Sequence, residues 1–134
     1  MSADHVAVVR DFIAASQRAR HSQEPSDLET VRRCLAREIE IRLAGPWTDE
    51  PWRVAHSGAD QVVARLQEPS NAGNVLSTET VNMVAAGPDV LVEQLSTIAR
   101  EGSRHTSMVC HIFTVEEGLI TAIRSYRNDV GLPG

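Results

Sequence analysis

Most of the residues able to do chemistry lie in the second half of this 134-residue chain. His111 sits between Cys110 and Ile112 in an otherwise apolar run. An imidazole in that setting can donate a hydrogen bond or move a proton near neutral pH, or it can be a core histidine satisfied by a polar neighbour. Trp47 and Trp52 place half of the four Trp and Phe residues in one breaker-rich stretch. There they could close a pocket mouth and stack on a flat ligand, or pin the loop to the core or to a partner copy. His56 and His105 have no zinc-type spacing, so no metal is expected. No Gly-rich phosphate loop or nucleophile elbow is present, and the expectation is chemistry without a cofactor.

The length fits one domain, residues 1–134, with one core. An apolar fraction of 42% against 23% charged residues is ordinary for a globular chain. A net charge of −5 argues against nucleic-acid and anionic-membrane partners. There is no run of about 18 apolar residues and no signal-like N-terminus. Cys34 and Cys110 read as reduced, largely buried thiols, and the expected location is cytoplasmic.

The elements that must position these residues follow from periodicity. Val6, Val9, Ile13 and Ala14 recur at helical spacing over about Asp4 to Arg20, with Arg10, Asp11, Gln17 and Arg18 largely on the other side. Ser26-Asp27-Leu28-Glu29 reads as a capping box opening a second helix that runs to about Ala36. Ile39 to Leu43 alternates as a short strand, Ala44 to His56 reads as irregular, and a third helix spans about Gly58 to Gln67. Then come four candidate strands: Thr78–Ala86, Val90–Arg100, Arg104–Val115 and Leu119–Arg127. Their short connectors make consecutive strands hairpin partners in an antiparallel sheet. Helices set before long strands predict an α+β fold, N-terminal helices packed on a strongly curved antiparallel or mixed sheet around a central pocket.

The run from Met108 to Leu132, MVCHIFTVEEGLITAIRSYRNDVGL, resembles the final hairpin of SnoaL-like and ketosteroid-isomerase-like proteins of the nuclear-transport-factor-two-like superfamily. Their pattern is an apolar strand, an acidic turn ending in Gly, then Ile-x-x-Ile/Met-x-x-Tyr. The helix–helix–strand–helix–strands order agrees along nearly the whole chain, and Ser57-Gly58 opens the third helix in the same way.

The resemblance implies roles for particular residues. In the steroid isomerases a protonated Asp on the penultimate strand hydrogen-bonds the substrate oxyanion, and that position falls on His111. Their catalytic base maps near Leu43, and their first-helix Tyr onto a small residue around Ala15 to Ala19. Limonene-epoxide-hydrolase-like relatives place polar catalytic residues where Gln94, Ser96 and Ser125 stand. With Ser125 inward, a period of two puts Ile123 and Arg127 on its face. Ile39, Ile41 and Leu43 should share that concave side, and Gln94 or Ser96 should be the partner of His111.

Two functions are consistent with these readings. One is a cofactor-independent isomerase, cyclase, dehydratase or epoxide-hydrolase type of enzyme on a small apolar cyclic metabolite. His111 is its acid/base, and Gln94, Ser96, Ser125, Arg127, Trp47 and Trp52 are its substrate contacts. The other is a non-catalytic binding or scaffolding module of the same fold. A homodimer is also expected, because Tyr126, Val115 and Ile112 are read as an outward apolar patch.

Overall fold

The computed structural model describes residues 2–22, 24–44, 53–67, 75–100 and 102–127. Two helices come first, α1 (Ser2–Ser22) and α2 (Pro25–Cys34), followed at once by strand β1 (Leu35–Ala44). Strand β2 (Arg53–Ser57) and helix α3 (Ala59–Leu66) precede the four long strands β3 (Val75–Ala86), β4 (Asp89–Arg100), β5 (Ser103–Glu116) and β6 (Leu119–Arg127). They form one six-stranded sheet in the order β2-β1-β6-β5-β4-β3. Among the described residues only the β1–β6 ladder is parallel, so the sheet is mixed. The α+β architecture expected from the sequence is the one observed.

Two local expectations are corrected. Helix α2 does not open on a capping box. Its N-cap is Glu24, which makes no side-chain cap bond, and Pro25 occupies the first helical turn. Proline there has φ preset and lacks an amide that would need a partner, so Ser26 falls one position inside the helix. The Ala44–His56 stretch is not wholly irregular either. Its last residues form β2, antiparallel to β1, with Ile41 opposite His56. This strand has no apolar alternation of its own and exists because β1 offers it an edge.

The core lies between the helices and one face of the sheet. Val9, Ala15 and Ala19 of α1, Val31 of α2 and Val62, Val63 and Leu66 of α3 are buried there. They meet Ile39, Val90, Val92, Phe113, Val115, Ile120 and Ile123 of the sheet. Val115 is therefore not part of an outward patch. It shares the face of His111 and Phe113 by simple alternation and is 1% exposed.

The β5–β6 hairpin sets the geometry that matters most. Glu117 and Gly118 both have positive φ, 52° and 78°, as a two-residue type I′ turn requires. A bulge between Thr114 and Val115 then leaves Thr121 without an opposite residue. Its hydroxyl donates to the Thr114 carbonyl at 3.3 Å. The extra residue lets Ile120 and Ile123 both face the core, although three residues apart.

Candidate functional site

Registry across the sheet arranges the concave face in rungs. The deepest carries Val90 of β4, Phe113 of β5, Ile123 of β6 and Ile41 of β1. The next carries Met83, Val92, His111, Ser125 and Leu43, one from each of β3, β4, β5, β6 and β1. Beyond it stand Thr80, Gln94 and Val109, and then Thr78, Ser96 and Ser107. Polarity thus rises along the face, from an aliphatic and aromatic floor to amides and hydroxyls, and His111 stands at the border. As expected, Ile41, Leu43, Ile123 and Ser125 share the concave side, and Ile39 is fully buried behind them.

His111 Nδ1 lies 2.7 Å from Ser125 Oγ. The two are direct cross-strand partners, so the contact follows from the register. The bond expected to Gln94 or Ser96 is replaced by this one, because His111 lies opposite Val92 rather than opposite either residue. Gln94 donates instead to Thr80 Oγ1 at 3.3 Å. The His111 ring also stands 5.8 Å from that of Phe113, which meets Phe12 edge-on at the same centroid spacing. Gln94, Ser96 and Ser125 are 7%, 9% and 4% exposed, and they are the buried polar side chains among the described residues. The structure therefore gathers four of the candidate residues, His111, Gln94, Ser96 and Ser125, on one wall. Arg127 ends β6, paired with Val109 in the backbone register. Trp47 and Trp52 lie outside the described residues.

Helix α1 supplies a wall that sequence reasoning passed over. His5 Nδ1 is 3.3 Å from the Gly87 carbonyl, and Gln17 Nε2 donates to the Thr78 carbonyl at the same distance. The helix therefore runs antiparallel to β3, with its C-terminal half at the polar end of the cone. Phe12, Ser16 and Arg20 follow at helical i, i+4 spacing, so the polar members of this stripe come after the aromatic one. Both Ser16 Oγ and Arg20 Nε are shielded from solvent. Two polar residues on a stripe that begins with Phe12 were the available signal. Gln17, expected on the outer side, instead ties the helix to the sheet.

Neither cysteine belongs to this wall as a nucleophile. Burial raises the Cys34 thiol pKa first, Asp11 raises it further, and Arg33 offsets part of the rise. For Cys110 burial and then the Glu93 carboxylate opposite raise it. Both shifts disfavour the thiolate. No group of three or more His, Cys, Asp or Glu residues suited to a metal ion occurs among the described residues. No helix among them is long and apolar enough to cross a membrane.

A family model described as a SnoaL-like domain matches residues 9–123. The chain belongs to the SnoaL-like family. No curated protein matches the sequence significantly. Among solved structures, a nuclear-transport-factor-two-like protein from Burkholderia xenovorans superposes with a TM-score of 0.74 at 25% identity, covering 98% of this chain and 95% of the other. A limonene-epoxide-hydrolase-like epoxide hydrolase from Mycobacterium tuberculosis gives 0.67 at 21% identity over 96% and 86%. A ketosteroid-isomerase-like protein from Kribbella flavida gives 0.70 at 18% over 99% and 84%. These likenesses show the same α+β cone, and a shared fold leaves the chemistry to the chain's own side chains. In this SnoaL-like chain the concave wall carries an imidazole, an amide and hydroxyls, and its first strand presents Leu43 beside them.

Proposed function

We propose that this SnoaL-like chain is a cofactor-independent enzyme that binds a small cyclic metabolite in the cone and moves a proton on it with His111. The hydrogen bond from His111 to Ser125, at the border between the apolar floor and the polar wall, carries this reading. A serine hydroxyl both donates and accepts, so it holds Nδ1 in either neutral tautomer. Proton exchange with the ligand then falls to Nε2. Isomerisation removes a proton from one carbon and returns it to another. In between, both ring nitrogens are protonated and Nδ1–H donates to Ser125 Oγ. Gln94 and Ser96 orient a carbonyl or hydroxyl of the ligand, and the Arg127 side chain, Trp47 and Trp52 are further contacts. None of Gln94, Ser96 and Ser125 carries a carboxylate, so opening an epoxide with carboxylate-activated water is not the reaction supported.

The test is deuterium incorporation from heavy water into a panel of cyclic ketones and enones, followed by NMR. Exchange should be catalysed by the native chain and lost in His111→Ala with the circular-dichroism spectrum unchanged. Equal exchange by the variant overturns the proton-transfer role. The module reading, which Leu43 in the place of a base favours, then stands.

We also propose a homodimer through the convex face of the sheet. There Leu91 lies beside Ile112, Cys110 beside Tyr126 and Leu95 beside Met108. Leu91, Met108 and Tyr126 are each more than a third exposed, in one patch.

A further inference from the structure

Beyond Gln94 the concave face carries a row of hydroxyls. Thr78 of β3, Ser96 of β4 and Ser107 of β5 are direct cross-strand neighbours and form one rung. Strands lie about 4.8 Å apart, so the rung sets three hydroxyls side by side over about 10 Å. Among the described residues it holds no charged side chain.

Resting on the reading that the cone holds a small molecule, we propose that this rung seats a neutral, polyhydroxylated end of the ligand. The substrate class is then a ring system bearing a sugar or comparable polyol, rather than a bare hydrocarbon ring or an organic acid.

The two faces of the same strands supply the contrast that carries the inference. On the convex face Thr97 and Thr106, also direct neighbours, have their hydroxyl oxygens 3.0 Å apart and bond to one another. That is the usual way for a cross-strand hydroxyl pair to satisfy itself. One residue along, on the concave face, Ser96 and Ser107 make no hydrogen bond among the described residues. Yet Ser96 is only 9% exposed. A hydroxyl withdrawn from water keeps both a donor and an acceptor to be satisfied. It stands on the wall that also carries Gln94 and His111.

The chemistry of the rung selects what can satisfy it. A hydrocarbon would leave Ser96 without a partner, and an anion would meet no countercharge there. A ligand hydroxyl donates and accepts at once, as the rung does, so neighbouring hydroxyls on a sugar can bond it in a chain. Thr78 also lines an open cleft of about 510 Å³ between the end of α1 and the beginning of β3, which gives such a group room at the rim.

Spacing sets the length of the ligand. Val92, which lies opposite His111, precedes Ser96 on β4 by two rungs, about 13 Å along the strand. A single ring cannot reach both. The ring beside the imidazole and the hydroxylated group beyond Gln94 are therefore two parts of one molecule.

The experiment titrates three fluorescent probes that share one coumarin ring: 7-methoxy-4-methylcoumarin, 4-methylumbelliferyl glucoside and the anionic 4-methylumbelliferyl glucuronide. The glucoside should bind the native chain about fivefold or more tighter than the methyl ether, and no more weakly than the glucuronide. Ser96→Ala should lose most of that preference while leaving the methyl ether's affinity within about twofold. Ser107→Ala, at a half-buried position, should lose part of it and keeps the test decisive if Ser96→Ala fails to fold. Thr97→Val, which removes a bonded hydroxyl from the other face, should leave the preference intact. Equal affinities for glucoside and methyl ether overturn the hydroxyl assignment alone. So does a preference that survives both alanine variants, or one that is lost in folded Thr97→Val. Tighter binding of the glucuronide overturns the neutral class. Binding by none of the three overturns the cone as a site for ring compounds, and the assignment with it.

Discussion

Leu43 and Ser125 stand opposite one another on the parallel β1–β6 ladder, and Ser125 in turn faces His111 across the antiparallel one. One rung therefore joins an aliphatic side chain, a hydroxyl and an imidazole. The aliphatic neighbour keeps water away from one side of the hydroxyl. Within this pair, His111 is the group able to move a proton near neutrality.

Ser125→Ala separates positioning from binding. The alanine keeps the apolar contacts of the rung but removes the oxygen that holds Nδ1. A neutral hydrogen bond contributes about 1 kcal/mol, so the catalysed exchange rate should fall roughly five- to tenfold, with KM nearly unchanged. Steady-state kinetics on any substrate found by deuterium exchange would measure this. A change in KM alone would show that Ser125 touches the ligand instead of orienting the imidazole.

The floor should dominate stability. Phe113 is 2% exposed and meets Phe12 at 5.8 Å. Phe113→Ala should cost about 3–5 kcal/mol, read from urea denaturation. Combining it with Phe12→Ala should reveal a coupling of about 0.5–1.5 kcal/mol between the rings. Strict additivity would mean that the two rings do not interact.

The convex patch gives the proposed dimer a direct readout. Light scattering at micromolar concentration should report twice the chain mass. Leu91→Glu or Tyr126→Glu should yield a folded monomer, since a carboxylate on either position must be desolvated to close the interface. A native monomer would leave that patch without its proposed occupant.

Cys110 reports on its cross-strand neighbour. Burial first, and then the Glu93 carboxylate, raise its thiol pKa. Glu93→Gln removes the second cause, so the pKa falls and more thiolate is present at a given mildly alkaline pH. Alkylation of Cys110 by iodoacetamide should accelerate, with its pH–rate curve displaced to lower pH. Cys34, buried in the helical layer, should remain the slower thiol in both proteins.

Much of this architecture is written locally. Alternation in Ile39–Leu43 and Leu119–Arg127 marks strands with one buried face, and the Glu117-Gly118 turn marks the last hairpin. From those features alone Ile123 and Ser125 belong on one side and Tyr126 on the other, as observed. The resemblance of the last strands to SnoaL-like proteins located His111, Gln94, Ser96 and Ser125, and the fold brings all four to one wall.

What the chain could not declare locally is which wall residue meets which. The partner of His111 depends on register, and register depends on the turn and on the bulge at Thr121. Because side chains alternate with a period of two, a slip of one residue would reverse the face of Ser125 altogether. Leu43 reaches Ser125 because β1 inserts beside β6, a pairing between strands distant in sequence and invisible to any window along the chain. Likewise Arg20 and Ser16 look like ordinary members of an amphipathic helix until α1 is laid against β3. Composition and periodicity determined that there would be a cone, since they act over a few residues. Tertiary structure decided its chemistry, since a site is made of contacts between residues that only the folded sheet brings together.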